Sequence, residues 1–125
     1  RTVATMRDSK LAMALFRTPG DGAVVVVDGG GSMATALLGD NNAAILKDNG
    51  WAGIIINGAV RDAEQLAAID LGIKALGVCP VRPAKDGIGA VDVPVAFGEV
   101  LFVPGHCVYC DRDGVIVSEN PIAAG

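Results

Sequence analysis

Asp40, then twenty residues, then Arg61-Asp62: this spacing sets two carboxylates and a guanidinium just beyond two successive apolar runs. The first run, Ala23-Val24-Val25-Val26-Val27-Asp28, enters Gly29-Gly30-Gly31-Ser32, and the second, Gly53-Ile54-Ile55-Ile56-Asn57, enters Gly58-Ala59-Val60-Arg61-Asp62. Carboxylate oxygens suit hard cations such as Mg²⁺ or Mn²⁺. An arginine fork grips a carboxylate through two parallel bonds, and the free amides of a helix start attract an anion. The triplet therefore reads as a divalent-metal and carboxylate site. Each member alone has a plainer use: Asp40 as a helix cap, Asp62 as a complement to a helix dipole, Arg61 in a surface ion pair. What favours the functional reading is convergence at the carboxyl ends of neighbouring strands, where open α/β sheets place their ligands.

The elements that must hold these residues follow from the apolar pattern. Short continuous apolar runs closed by glycine turns predict buried, parallel strands over Ala23 to Asp28 and Ala52 to Asn57. Asp8 or Ser9 is expected to cap a helix running to about Arg17 before Pro19-Gly20. Met33 to Leu38 reads as a short helix broken at Gly39, after which Asp40 caps a helix over Asn41 to Asn49 that Gly50 ends. Arg61 or Asp62 opens a helix through Ile69 with Leu66 and Ile69 inward, and a strand runs from Ile73 to Val78. Beyond Pro83 the pattern changes to short β segments near Val91 to Phe97, Glu99 to Val103, Cys107 to Tyr109 and Val115 to Ser118, with turns at Pro104-Gly105 and Asp113-Gly114. Arg82 to Ala90, with its charges and glycines, reads as the most mobile loop. The whole is an α/β part followed by a β meander, a single domain over residues 1–125 with no internal repeat. The chain opens at Arg1 without methionine and alternates at once like a strand, so an N-terminal segment is expected to precede it.

Composition removes several classes of function. With 51 % hydrophobic residues and seventeen glycines there is material for a packed core with tight turns. A net charge of −4 and the absence of a basic run do not suit an electrostatic grip on nucleic acid. No apolar stretch reaches the roughly 18 residues of a membrane span. Three cysteines, an odd number, and no export signal point to reduced thiols in the cytoplasm. His106 beside Cys107-Val108-Tyr109-Cys110 suggests zinc or redox chemistry, but residues three apart on a strand face opposite ways, so ordinary buried thiols are expected. Asp28-Gly29-Gly30-Gly31-Ser32 resembles the nucleotide turn of Rossmann-like proteins and methyltransferases. It lacks the spaced glycine form, and the next strand ends in Asn57 rather than an acid, so a close backbone turn is the simpler reading. Lys47, Lys74 and Lys85 show no buried constellation that would favour a Schiff base.

Asp40-x20-Arg61-Asp62, together with Val27-Asp28-Gly29-Gly30-Gly31-Ser32, Gly58-Ala59-Val60-Arg61-Asp62 and Ile69-Asp70-Leu71-Gly72-Ile73-Lys74-Ala75, resembles the RraA-like family, a likeness that runs on through Gly114-Val115-Ile116-Val117. That family includes regulators of ribonuclease E and class II 4-hydroxy-4-methyl-2-oxoglutarate aldolases. The resemblance implies a three-layer α/β/β sandwich similar to swivelling phosphohistidine domains, assembled as a homotrimer with sites at subunit interfaces. By position it implies that Gly39, Asp40, Asn41 and Asn42 bind substrate through backbone amides, that Arg61 binds the pyruvyl unit, that Asp62 ligates the metal, and that Asp40 holds a metal-bound water. The implied activity is metal-dependent aldol cleavage through a pyruvate enolate, with oxaloacetate decarboxylation as a side reaction. A proton donor, which longer aldolases of the family supply from a neighbouring subunit, has no counterpart identified in this sequence. The alternative implied is a non-catalytic regulator that binds ribonuclease E or an RNA helicase.

Overall fold

Valine and isoleucine runs lack polar atoms and favour extended backbone, so they pair at the centre of the molecule. The computed structural model describes residues 1–110 and 114–121. Its central sheet has the order β6-β4-β2-β1-β8, from β1 (Thr2–Ala4), β2 (Val24–Asp28), β4 (Gly53–Asn57), β6 (Gly72–Lys74) and β8 (Ala90–Val91). The first four strands are parallel, and β8 returns antiparallel to β1. Full pairing of β2 with β4 ends at Asp28 opposite Asn57, which brings the two glycine-bearing turns side by side.

Alternate residues of these strands serve two separate cores. Val25, Val27, Ile54 and Ile56 face the helices α1 (Lys10–Phe16), α2 (Asp40–Asp48) and α3 (Ala63–Ala67), packing with Phe16, Leu38, Leu46 and Trp51. Val26 and Ile55 face the other way, onto Val95 and Phe102 of the hairpin β9 (Val95–Phe97) and β10 (Val100–Phe102), with Val108 and Val117 of β11 (Cys107–Cys110) and β12 (Val115–Ser118) alongside. Burial on both faces explains why the strands read as unbroken apolar runs. The α/β sandwich expected from the sequence is thus present, with helices on one face of the central sheet and β hairpins on the other.

Several elements differ from the sequence reading. Met33 to Leu38 is not a helix: β3 (Ala36–Leu38) is a fully buried strand beside β5 (Ala59–Val60), which in turn pairs with β7 (Gly77–Val78) in a second, parallel sheet. Ile73 to Val78 is not one strand but two, because the chain leaves the central sheet after Lys74 and joins the second sheet at Gly77. Helix α3 ends at Ala67, short of Ile69. The turn at Asp113-Gly114 falls partly outside the described residues, since Asp113 is not among them.

The stretch read as a mobile loop is tied down. Asp8, only 1 % exposed, accepts the amides of Lys10, Asp86 and Gly87 at 3.0, 2.6 and 3.1 Å. Ala84 exchanges backbone bonds with Arg7 and Ser9, and Thr5 Oγ1 donates to the Ile88 carbonyl. The first helix therefore draws its carboxylate cap from Asp8, and the same carboxylate fixes a loop far away in sequence.

Candidate functional site

The predicted triplet meets, but not at the ends of the two apolar runs β2 and β4: Asp40 follows β3 and Arg61-Asp62 follow β5, neighbouring strands of the second sheet, because the chain forms a further short strand after each glycine turn. The Arg61 amide donates to the Leu38 carbonyl at 2.9 Å, which locks the end of β5 to the end of β3. Arg61 then lies against Gly39: a Cβ at that position would stand 2.8 Å from Arg61 Nε and 3.0 Å from Cζ. Gly39 is glycine because a guanidinium occupies the space of a side chain.

Asp62 adopts a left-handed backbone, φ 59° and ψ 46°, a region that aspartate tolerates better than most residues. Its carboxylate makes no cap to its own helix. Instead Oδ2 accepts the Asp40 amide at 3.2 Å, so Asp62 caps α2 from the neighbouring junction. This corrects the expectation that Asp40 is the cap. Gly39 holds the N-cap position without a side-chain bond, and Asp40 is the first helical residue. A carboxylate there complements the helix dipole. The first intrahelical bond runs from the Ala43 amide to the Gly39 carbonyl, so the amides of Asn41 and Asn42 have no acceptor within the helix.

Arg61 Nη1 and Asp62 Oδ2 are 3.6 Å apart, with side chains 25 % and 29 % exposed. At that distance the pair is a Coulombic contact rather than a hydrogen bond. Asp40 and Asn42 are half-buried and Asn41 is exposed. All six predicted residues thus line one corner of the molecule. No cluster of three or more His, Cys, Asp or Glu side chains is present among the described residues. One or two carboxylates with open positions fit a water-rich Mg²⁺ or Mn²⁺, which substrate oxygens complete, and do not fit a closed zinc centre.

A cavity of about 50 Å³ adjoins this corner, lined by Ser9, Gly39, Asn42, Arg61, Arg82 and Lys85 among others. Arg82 and Lys85 were not legible beside these residues, because their loop is positioned by bonds to Thr5, Arg7, Asp8 and Ser9, far away in sequence. Larger hollows of about 390 and 520 Å³ lie beneath the β11–β12 hairpin, and their walls include His106, Cys107 and Cys110. The thiols are not buried as expected: Cys110 is exposed and Cys79 and Cys107 are half-covered.

The glycine turn is occupied by its own backbone bonds. The Gly29 and Gly31 amides donate to the Asn57 carbonyl at 3.1 Å, the Gly30 amide to Asp28 Oδ1 at 2.9 Å, and the Ser32 amide to the Gly29 carbonyl. Asn57 Nδ2 also donates to Asp28 Oδ1 at 2.9 Å. The turn joins two strand ends and has no spare amide to cradle a phosphate. Lys47 and Lys85 are exposed and Lys74 is half-buried, which is not the setting of a Schiff-base lysine.

The chain is thus an α/β sandwich that brings an arginine, a carboxylate and a helix start together at paired strand ends. Residues 1–117 match the family model RraA-like, described as Aldolase/RraA, and the chain belongs to that family. A protein of Alkalilimnicola ehrlichii, provisionally named a 4-hydroxy-4-methyl-2-oxoglutarate aldolase, is 48 % identical over 97 % of this chain and 75 % of its own length. A protein of the same provisional name from Xanthomonas campestris pathovar campestris is 49 % identical over 98 % of this chain and 74 % of its own. Among solved structures, the RNA-processing inhibitor RraA of Thermus thermophilus superposes with a TM-score of 0.96 at 40 % identity, covering 98 % of this chain and 75 % of that one. A Geobacillus kaustophilus protein named S-adenosylmethionine:2-dimethylmenaquinone methyltransferase gives 0.95 at 44 % identity, covering 97 % of this chain and 75 % of that one.

Proposed function

We propose that this chain is a divalent-metal-dependent lyase that cleaves 4-hydroxy-4-methyl-2-oxoglutarate to pyruvate and decarboxylates oxaloacetate as a side reaction. The observation that carries this reading is the junction itself, where Asp62 and the Arg61 guanidinium converge on the start of α2. Arg61 and the Asn41 and Asn42 amides bind the carboxylate and keto oxygen of the pyruvyl unit. Asp62 holds the cation, Mg²⁺ or Mn²⁺, which supplies electrophilic stabilisation of charge on the keto oxygen. As the C3–C4 bond breaks, its electron pair passes to C3 of the pyruvyl unit, C4 becomes the carbonyl of the second product as its hydroxyl gives its proton to solvent water, and C3 then takes a proton from water to leave as the methyl group of pyruvate. Arg61 stands where the negative charge develops, a placement worth more than the same contact in water. Asp40 orients a water at the cation site. Purified protein with Mg²⁺ or Mn²⁺ is expected to release pyruvate from either substrate, and Asp62→Asn, which keeps the shape and tolerates the left-handed backbone, is expected to lower the rate at least a hundredfold. An unchanged rate in that variant excludes the metal role.

A second reading, a protein-binding regulator of ribonuclease E activity or of an RNA helicase, draws on the likeness to the Thermus inhibitor and on the net charge of −4. Inhibition of ribonuclease E by the purified chain, with no pyruvate release, supports it over the lyase. The methyltransferase name of the Geobacillus relative finds no support in the glycine turn, whose amides are all engaged.

A further inference from the structure

Asp8 is the only charged side chain buried among the described residues, 1 % exposed, and no ion pair to it is present there. A carboxylate taken out of water is costly unless hydrogen bonds replace its hydration. Here they come from backbone amides: Lys10 donates to Oδ1 at 3.0 Å, Asp86 to Oδ2 at 2.6 Å, and Gly87 to both oxygens at 3.1 Å. The Lys10 bond caps α1, a task that an exposed serine or aspartate also performs. The other donors lie seventy-eight and seventy-nine residues further along the chain, and they set this aspartate apart from an ordinary cap.

Those amides belong to a loop that forms one wall of the cavity beside Arg61. Residues 82–89 contain no helix or strand, and Arg82, Pro83 and Lys85 line the cavity together with Ser9, Asn42 and Arg61. Asp8 itself is not in the wall. Its bonds and those of its neighbours bracket Lys85: Ala84 exchanges backbone bonds with Arg7 and Ser9, and Asp86 and Gly87 reach Asp8. At the end of the loop Gly89, φ 130°, lies so near β1 that any Cβ would collide with the Ala4 carbonyl oxygen. Arg7, a non-glycine residue at φ 50°, makes the turn directly before Asp8. Such a conformation persists only where the surrounding structure imposes it.

We infer that Asp8 is a positioning residue for the candidate site: it touches no ligand, and through the Asp86 and Gly87 amides it fixes where Arg82 and Lys85 stand beside Arg61. The start of α1 and the site are thereby coupled, so that loosening one loosens the other. Asparagine cannot stand in for it, because one of the two polar atoms of an amide is a donor. Whichever way that amide is turned, either Lys10 or Asp86 faces an N–H. The inference rests on the proposed 2-oxo acid site and adds a residue outside its walls on which its affinity depends.

The test measures oxalate binding by calorimetry in Mg²⁺ buffer. Asp8→Asn is expected to weaken it about fivefold, the modest factor that two exposed cations supply. In Arg82→Ala/Lys85→Ala the same substitution has no further effect, because the groups it positions are gone. A substitution acting through a general loss of stability weakens binding equally in both backgrounds. By reciprocity, oxalate bound to the wild type slows hydrogen exchange at the Asp86 and Gly87 amides, a measurement that needs no variant to fold. Unchanged oxalate affinity in Asp8→Asn, an equal loss in both backgrounds, or no slowing at those amides overturns the positioning role and leaves the lyase reading standing. Failure of the wild type to bind oxalate overturns the lyase reading and this inference together.

Discussion

A methyl group at position 39 would meet the Arg61 guanidinium, although the backbone there, φ −126° and ψ −177°, suits any residue. The constraint is steric, and it acts on the functional group itself. Gly39→Ala is therefore expected to displace Arg61 and weaken oxalate binding at least tenfold, with a stability cost of about 1–3 kcal/mol for overpacking. Calorimetry and thermal melting check the two effects separately, and unchanged oxalate affinity would show that Arg61 is not the anion's partner. Asp40, Arg61 and Asp62 were legible because their spacing survives any uncertainty about the elements between them. Which carboxylate caps α2 was not legible, since the cap comes from Asp62, twenty-two residues away, through a left-handed turn that no local pattern announces.

At the scale of elements, Asp8 gives a prediction with a defined sign. Burial pushes its carboxyl pKa up, but the amides of Lys10, Asp86, Gly87 and Ile88 outweigh that and hold it below the ordinary aspartate value. A depressed folded pKa contributes stability that is fully present above the unfolded value, about 3.9, and is lost as pH falls through the lower folded one. Asp8→Asn is thus expected to be less stable than the wild type at pH 6, with the gap closing below about pH 4. Urea midpoints across that range check it, and a gap independent of pH would mean that Asp8 acts by shape alone. The strands β2 and β4 and the helices α1 and α2 were readable from apolar runs and glycine stops. Strand β3 was not: Met33, Ala34, Ala36, Leu37 and Leu38 are all good helix formers, and only pairing with β5 makes the last three extended. The Arg82–Lys85 half of the cavity was hidden for a related reason, since its loop is positioned by Asp8, more than seventy residues earlier.

For the whole molecule, the apolar surface around β7 carries the last prediction. β7 is an edge of the second sheet, and Leu76, Val78 and Val81 on and beside it are 60, 58 and 53 % exposed. Met33, also 43 % exposed, extends over Gly77, where a Cβ would stand 2.8 Å from its methyl group. An unpaired strand edge with a cluster of exposed aliphatic side chains invites association unless another chain covers it. The family resemblance implies a homotrimer, and a closed ring would bury one such face per subunit through a repeated heterologous contact. Val78 directly opposes Val60, the residue before Arg61, so a subunit seated on β7 would press on the strand that carries the site. Sedimentation is therefore expected to give a trimer, and Val78→Lys a monomer with weaker oxalate binding because β5 loses its outer support. A trimer that survives Val78→Lys would move the interface elsewhere, and a monomer with undiminished oxalate affinity would mean that the site is complete within one chain.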